Sequence, residues 1–455
     1  MIAEVLTQSI PDLKTQLFEQ ATISFPQDAQ FNTKRWSDFG KPNPGAIINI
    51  KWANKYNIPF LAQSGGHGFH SSLSKLSKSG IVINLNAISS IVFDKEAKTA
   101  TLGGGVLTGD ALNAAHANGV HIMTGVCNTV GLIPAIIGGG LGNMMGMCGI
   151  GVDNMLSATV ITASGDKIKV SKDENSELWW GLRGAGGNFG VVSSLTVKSY
   201  EQVNGGIFCS GSIGFVGKTV DEIGEIARTL EKLEIGRKMA IGFLWARIPP
   251  SFQPTFIIHL FYAGPEDEAT KAFEPLFALK PTFAEFAPTP YNLTNAPSDP
   301  AGVKGGRRPT WGIGMKRFDG ARIKEAWKIW EDFTGECTGA MASLVIGDYY
   351  NHDKTNEVDE GDTAYPWRKV GVHLLFSGNY QDPSLDDEVS VVGRKFRDSL
   401  KTEGESFSVY VNFAHGDEKL EEIYGSKERI ERLGKLKKKW DPERRFGFTF
   451  PIPLQ

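Results

Sequence analysis

Gly125-Val126-Cys127-Asn128-Thr129-Val130-Gly131 decides the interpretation of this chain, because a second glycine-rich run, Ser64-Gly65-Gly66-His67-Gly68, precedes it. Glycines let a backbone approach a flat or anionic group and point consecutive N–H groups at it. Each run also carries one nucleophilic side chain, Cys127 or His67. A lone free cysteine is most often a small buried hydrophobe. The two runs together predict two covalent attachments to one large cofactor.

The length and charge of the chain limit its class. A chain of 455 residues exceeds the size of one ordinary hydrophobic core, so two domains are predicted. Its 41% hydrophobic and 22% charged residues are typical of a globular protein. The net charge of -3 argues against a nucleic-acid partner. The basic run Lys435–Lys439, with Glu428 and Glu431 nearby, predicts a solvated helix face.

The sequence shows no pattern typical of a targeting signal or a metal-binding motif. The first residues, Met1–Leu6, show no basic region followed by an apolar one, so a cytoplasmic location is predicted. No apolar run reaches the roughly eighteen residues of a membrane span. Neither a metal site nor a disulfide framework is expected from the cysteine spacing. The four cysteines are Cys127, Cys148, Cys209 and Cys337.

The segment from about Pro59 to Tyr200 predicts an α+β domain. Short apolar runs bounded by Gly and Asn are typical of buried strands. Three such runs are Ile81–Leu85, Thr99–Leu102 and Ala158–Thr162. Between them, Thr108–Ala117 predicts a helix, with Thr108 as its N-cap and Gly119 as its stop.

The segment from 201 to 406 has a different pattern, in which strand-like and helix-like stretches alternate. The strand-like stretches are Phe256–Phe261 and Val370–Phe376, and the helix-like ones are Asp221–Glu234 and Arg322–Phe333. Pro288–Arg308 is rich in Pro, Asn and Gly and predicts a loop near a binding cleft.

Four stretches carry a resemblance to the berberine bridge enzyme-like oxidases, within the vanillyl-alcohol oxidase/p-cresol methylhydroxylase superfamily. They are Gln63–His67, Gly125–Gly131, Leu178–Val192, and Tyr410–Phe413 with Trp440–Phe446. The resemblance implies an α+β, two-lobed PCMH-type FAD-binding domain over residues 1–200 and a substrate domain over 201–406, with an antiparallel sheet flanked by helices. Residues 407–455 would return to the FAD domain. Residues 44–52 are shorter than the matching part of relatives, which leaves the completeness of the N-terminal small sheet open.

The same resemblance implies FAD held by two covalent bonds. His67 matches the histidine bonded to the flavin 8α-methyl, and Cys127 matches the cysteine bonded to flavin C6. The resemblance assigns further cofactor contacts to Ser64, Gly65, Gly66, Gly68, Thr129, Val130, Gly131, Gly138, Gly139, Gly142, Val192, Tyr410 and Asn412.

The catalytic residues depart from the family pattern at two places. Ile133-Pro134-Ala135 stands where plant relatives have a histidine that supports the flavin pyrimidine edge, so a backbone N–H, Tyr410 or Asn412 is expected to replace it. Phe413 stands where several relatives have a basic tyrosine. His373 is the preferred replacement as general base, because strand alternation turns its side chain away from those of Val370, Val372 and Leu374, toward cleft or solvent, and a cleft-facing imidazole suits proton transfer. Further hydroxyl and imidazole candidates are Tyr349, Tyr350, Tyr365, Tyr380 and His415. A base-free hydride transfer stays open.

The predicted function is an oxidase that takes hydride from a small organic molecule of secondary metabolism and passes electrons to O2, giving H2O2. The oxidised product could cyclise afterwards. Val130 resembles the residue that admits oxygen in oxidase relatives, where dehydrogenases have leucine. Two alternatives stay open, a dehydrogenase of the same fold and a non-redox pericyclase. The substrate and the oligomeric state are left open by the sequence.

Overall fold

The computed structural model describes Arg35, Ser37 and residues 53–54, 57–77, 80–402 and 407–455. These residues form an α+β fold with three sheets, as the sequence predicts. The short segment at residues 44–52 lies outside the described residues. Among the described residues, none of the helices combines the length and the apolar character that a membrane crossing needs.

The strands are β1 (Phe60–Gln63), β2 (Ile81–Asn84), β3 (Ile91–Asp94), β4 (Thr99–Gly103), β5 (Val120–Ile122), β6 (Met155–Ile161), β7 (Lys167–Ser171), β8 (Val191–Glu201), β9 (Ile207–Val216), β10 (Met239–Arg247), β11 (Pro254–Tyr262), β12 (Phe283–Pro290), β13 (Thr310–Met315), β14 (Leu344–Tyr350) and β15 (Val372–Ser377). The α-helices are Thr108–Ala117, Leu132–Ile137, Met145–Cys148, Gly151–Asn154, Ser176–Ala185, Val220–Lys232, Glu266–Phe277, Gly320–Glu336, Asp353–Asn356, Asp386–Ser399, Leu420–Tyr424 and Lys427–Trp440.

The first part of the chain builds two sheets. Strands β1 and β2 pair in parallel, and a second sheet has the order β3-β4-β8-β6-β7, with β5 paired to β8. The helix Thr108–Ala117 has the predicted bounds, and Gly119 beyond it has φ +68°. The predicted N-cap is wrong, since Leu107 occupies the N-cap position, without a side-chain hydrogen bond to the helix. Thr108 instead donates its hydroxyl to the carbonyl of Val130, which ties the helix to the cysteine-bearing loop.

The seven-stranded sheet is antiparallel, with the order β12-β9-β11-β10-β14-β15-β13, and all its strands lie between residues 207 and 377. Its outer face packs on the long helices around a core that includes Trp245, Trp327 and Trp330. The helix Val220–Lys232 starts with a capping box, in which Thr219 and Glu222 satisfy each other's backbone N–H groups. Because the helices cover only one face, the other face is left to a cavity.

Two segments differ from the sequence-based expectation. Within the predicted loop Pro288–Arg308, residues 288–290 extend the edge strand β12, because their backbone pairs with β9. The basic run at Lys435–Lys439 is not solvated throughout. Lys437 is fully buried and contacts Asp441 at 2.6 Å and the carbonyl oxygen of Asn188 at 2.6 Å.

An ion pair fixes the sheet connection to the first part of the chain. Arg368, in the connection between β14 and β15, makes two bonds of 2.8 Å to the carboxylate of Asp153. Both side chains are buried, and Arg368 also donates to the hydroxyl of Thr363 at 2.9 Å. Such bidentate geometry is the strongest form of a charge-assisted hydrogen bond. The contact therefore ties the connection between β14 and β15 to the helix Gly151–Asn154, whose first N–H groups donate to the carbonyls of Gly140 and Gly139.

Candidate active site

A cavity of about 860 Å³ lies between the free face of the seven-stranded sheet and the glycine-rich loops. The loops contribute the segments around His67, Cys127 and Gly138, and the sheet contributes residues of β9, β10, β11, β12, β14 and β15. Residues 294–301 line one side of the cavity, in agreement with the predicted loop near a binding cleft. Every predicted cofactor contact except Gly139, Gly142 and Thr129 lines this cavity.

The two glycine-rich runs cross at Gly65 and Gly131. A side chain at Gly65 would meet the backbone nitrogen of Gly131 and, at 2.7 Å, the carbonyl oxygen of Thr129. A side chain at Gly131 would meet the backbone nitrogen of Gly65 at 2.8 Å. Only glycine allows two backbones to touch in this way. The crossing therefore brings His67 and Cys127 to one wall of the cavity.

Thr129 links the two nucleophilic side chains. Its Oγ1 lies 2.9 Å from Nε2 of His67 and 3.6 Å from Sγ of Cys127. The carbonyl oxygen of Gly302, 3.2 Å from Oγ1, can only accept from this hydroxyl. When the hydroxyl donates to Gly302, Oγ1 accepts from Nε2, and the ring proton of His67 then lies on Nε2 and the lone pair on Nδ1.

The surroundings keep the His67 ring neutral. Burial, and then the positive charges of Lys304, Arg35 and Arg308, lower the pKa of His67 to about 3. A neutral imidazole holds the lone pair that a C–N bond requires. Cys127 is a half-buried free thiol beside it. His67 thus has the protonation state, and both side chains have the position, that attachment to one group requires.

The backbone around this wall fits a large planar cofactor. Among the described residues, the buried Oγ of Ser64 has no hydrogen-bond partner, so a polar group is open to a ligand there. Gly66 has φ +73°, which an L side chain rarely adopts. A side chain at Gly142 would collide with the carbonyl of Thr124. Ser64 and Gly66 line the cavity and would hold FAD there, with Ser64 as a hydrogen-bonding group, while Gly142 packs behind the cavity wall.

Tyr410 and Asn412 hold the second glycine loop. The amide nitrogen of Asn412 donates to Oη of Tyr410 at 2.6 Å, and the N–H of Gly140 donates to the same oxygen at 3.1 Å. Tyr410 donates in turn to the carbonyl oxygen of Ala135 at 3.3 Å. Burial raises the pKa of Tyr410 to about 12. Tyr410 is therefore a neutral clamp on the loop, and its one proton is already used.

Gly139 shows why the clamp fits. Its φ of +147° excludes other residues, and a side chain there would meet the rings of Tyr365 and Tyr410 at 2.8 Å. Gly138 packs against the amide of Asn412 in the same way. The C-terminal segment thus packs against the predicted loop Gly138–Gly142, and residues 410–413 of this segment line the cavity.

The predicted base His373 does not reach the cavity. Its side chain leaves the sheet on the face opposite to Val372 and Leu374, as the alternation of β15 predicts. The expectation that it opens into the cleft is wrong, because it is only 1% exposed and packs against Tyr410 and Phe413. Burial lowers the pKa of His373 to about 3, and neither ring nitrogen has a partner among the described residues.

Asp348 is the titratable group that sequence reasoning missed. It lies on β14 as the direct cross-strand partner of His373, and it lines the cavity. Burial raises the pKa of Asp348 to about 6. The hydroxyl of Tyr350 donates to Oδ1 at 3.0 Å, and this hydrogen bond offsets part of the rise in pKa. Of the further candidates from the sequence, Tyr350 lines the cavity and Tyr349, Tyr365, Tyr380 and His415 do not. A buried carboxyl with a raised pKa is a common mark of a general base.

A glycine-lined cavity with a histidine and a cysteine on one wall and a carboxyl on the other fits a flavin-dependent oxidoreductase, and the comparisons with known proteins identify that class. An FAD binding domain model matches residues 47–171, and a berberine and berberine-like model matches residues 409–453. The FAD-linked oxidoreductase OXR1 of Pyricularia oryzae is 32% identical over 459 residues, which cover 96% of this chain and 90% of that protein. The FAD-linked oxidoreductase srdI of Neurospora crassa is 30% identical, with 98% and 92% covered. The chain belongs to the berberine bridge enzyme-like family of FAD-linked oxidoreductases.

Solved structures share the fold. Physcomitrella patens BBE-like 1 has a TM-score of 0.84 at 20% identity, with 99% of each chain covered. Glucooligosaccharide oxidase from Acremonium strictum, which carries a 6-S-cysteinyl, 8α-N1-histidyl FAD, has a TM-score of 0.80 at 17% identity, with 98% of this chain and 99% of that chain covered. At these identities the likeness concerns the fold, and it confirms the predicted fold class.

Proposed function

We propose that this enzyme is an oxidase of small organic molecules that holds FAD through both His67 and Cys127. The observation that carries the proposal is one cavity that has both nucleophiles on the wall built by the glycine-rich loops and Asp348 on the wall built by the sheet. When bound, FAD accepts a hydride from the substrate. The chain itself positions the substrate, keeps water out and takes up the proton.

Two features support attachment at both residues. His67 is neutral and has its ring proton directed to Thr129, and Cys127 lies on the same wall with a free thiol. The structurally similar glucooligosaccharide oxidase carries FAD with bonds of these two kinds. Two tethers leave the rest of the cavity open, which suits a bulky substrate.

Asp348 is proposed as the general base. Its carboxylate faces the cavity from the sheet, and its pKa of about 6 leaves it ionised and basic near neutral pH. It would take the proton from a substrate hydroxyl or amine while the C–H bond beside that group breaks. The Tyr350 hydroxyl, 3.0 Å from Oδ1, holds the carboxylate in place.

Reoxidation by O2 is proposed to pass Val130. This residue is half-buried on the cavity wall, and its backbone is fixed by the N–H and hydroxyl of Thr108, at 2.9 and 3.2 Å. Because this backbone is fixed, the passage beside the Val130 side chain keeps a constant width for a small molecule such as O2. The products would be H2O2 and an oxidised metabolite, which can cyclise when it carries a nucleophile.

The attachment is tested by acid precipitation of the purified enzyme. The wild type should keep all its flavin in the pellet, His67→Ala and Cys127→Ala should each keep one link, and only the double variant should release everything. Free flavin from the wild type would disprove attachment.

The activity is tested by adding candidate substrates without oxygen. Bleaching of the flavin followed by oxygen uptake supports an oxidase, bleaching without oxygen uptake a dehydrogenase, and product without bleaching a pericyclase.

A further inference from the structure

Polar side chains form one row across the cavity face of the seven-stranded sheet. The register pairs Glu285 of β12 with Ser212 of β9, Ser212 with His259 of β11, His259 with Gly242 of β10, and Gly242 with Asp348 of β14. Direct cross-strand partners point to the same face. All five residues line the cavity, so the row contains a second polar group besides Asp348.

The second group is the pair of His259 and Ser212. Nδ1 of His259 lies 2.7 Å from Oγ of Ser212, and both residues are half-buried. Among the described residues, Nε2 of His259 has no hydrogen-bond partner, and Oγ of Ser212 has only Nδ1. One hydroxyl and one neutral imidazole can together donate and accept a hydrogen bond. This combination matches a ligand hydroxyl, which also donates and accepts.

The charges around the pair favour a neutral ligand. Burial lowers the pKa of His259 to about 4, so the ring carries no charge at neutral pH. The carboxyl groups of Glu285 and Asp348 lie on either side in the row and disfavour an anion. Next to the pair, the cavity wall is apolar, with Leu244, Ile257 and Ile346. An apolar ligand body with one neutral polar end fits these surroundings.

The spacing separates this pair from the proposed base. Strand β10 lies between β11 and β14, so His259 and Asp348 stand two strand spacings, roughly 10 Å, apart. Gly242 fills the intermediate position, and a Cβ added to it would lie 3.4 Å from Cβ of His259. The absent side chain leaves room over β10 for the body of a ligand that reaches both ends.

We propose that His259 and Ser212 form a recognition subsite for a neutral hydroxyl at the far end of an elongated, largely apolar substrate, a role that rests on the oxidase function proposed above. The hydroxyl would donate and accept at this pair while the reacting C–H lies near Asp348. His259 is thus a residue that determines specificity, and it takes no part in proton transfer.

The test measures binding without turnover. The flavin-loaded enzyme is titrated with 2-naphthol and with naphthalene, which differ in one hydroxyl that is neutral at pH 7, and binding is followed by the change in flavin absorbance. Neither probe has a hydrogen on a carbon that bears oxygen or nitrogen, so neither is a substrate for the proposed hydride transfer. One net hydrogen bond predicts that 2-naphthol binds about five- to tenfold more tightly. The advantage should vanish in His259→Leu and return in His259→Gln, which keeps a donor and an acceptor.

His116→Leu is the matched control, because His116 lies on the helix Thr108–Ala117 away from the cavity, and it should keep the full advantage. Equal binding of the two probes to the wild type, no binding of either, or an advantage that survives in His259→Leu overturns the subsite. Preferential binding of 2-naphthol by an enzyme that no substrate bleaches would reject the oxidase function and keep the subsite. Flavin content and melting temperature of each variant show that it is folded.

Discussion

Asp348 and His373 are direct cross-strand partners on β14 and β15, and their side chains leave the same face of the sheet. Asp348 borders the cavity, whereas His373 lies beneath the rings of Tyr410 and Phe413. The difference arises because Tyr410 and Phe413 of the C-terminal segment cover β15 at His373, whereas Leu375 of the same strand and Asp348 of β14 still line the cavity. Two neighbouring titratable groups thus have different access to a substrate, and this separates their expected roles.

Asp348→Asn is predicted to slow anaerobic flavin reduction by roughly two to four orders of magnitude, because the amide cannot take up a proton. His373→Phe keeps the ring contacts with Tyr410 and Phe413 and should change the rate less than about tenfold. Stopped-flow reduction of both variants at equal flavin content decides between them. A large loss in His373→Phe with a small one in Asp348→Asn would return the role of base to His373.

The pH dependence of the same step is predicted from the raised pKa of Asp348. The carboxyl accepts a proton only when ionised, so the rate of reduction should rise with pH and level off above about 6. Below the pKa, each unit of pH should cost about a factor of ten. Asp348→Asn should lose this limb of the profile, and an unchanged midpoint in that variant would assign the titration to another group.

Thr129→Val is predicted to weaken attachment through His67, because it removes the acceptor that holds Nε2. The effect is isolated in the Cys127→Ala background, where attachment depends on His67 alone. The fraction of flavin retained after acid precipitation should fall below that of Cys127→Ala. Thr196→Val serves as the control, since Thr196 bonds Thr101 on β4 away from the cavity. Equal retention with and without Thr129 would leave the threonine without a positioning role.

Val130→Leu is predicted to slow reoxidation of the reduced enzyme by O2 and to leave anaerobic reduction by substrate nearly unchanged. The added methylene narrows the approach at a position whose backbone is fixed by Thr108. Val126→Leu makes the same change at another half-buried valine of the cavity wall and should reoxidise at the wild-type rate. Identical reoxidation of the two variants would remove the gating role of Val130.

Lys437→Met is predicted to lower the free energy of unfolding by about 3–5 kcal/mol, the range for breaking a buried ion pair on one side. Nζ of Lys437 donates to Asp441 and to two backbone carbonyls, and all three contacts are lost together. Lys438→Met, at an exposed neighbouring position, should change stability by less than about 0.5 kcal/mol. Urea unfolding measures both variants, and equal midpoints would contradict the structural role of Lys437.

Local patterns determined much of the fold. The helix Thr108–Ala117 follows from its flanking residues and its terminal Gly119, and the apolar runs at β2, β4 and β6 follow from strand length and glycine boundaries. The motifs around His67 and Cys127 indicated the family, which the comparisons show. These features depend on residues close together in the chain, so a single sequence carries them.

Only the tertiary structure decided which polar groups meet the cavity. Alternation along β15 placed His373 on the correct face, but the cover over that face comes from Tyr410 and Phe413, far along the chain. Asp348 shares a row with His259 through the pairing of β14, β10 and β11, which no local pattern encodes. The sequence predicts that Lys437 is solvated, but in the folded chain Asp441 and the carbonyl of Phe446 contact its ammonium group. In each case burial sets the pKa or the contact, and burial is a property of the packed chain.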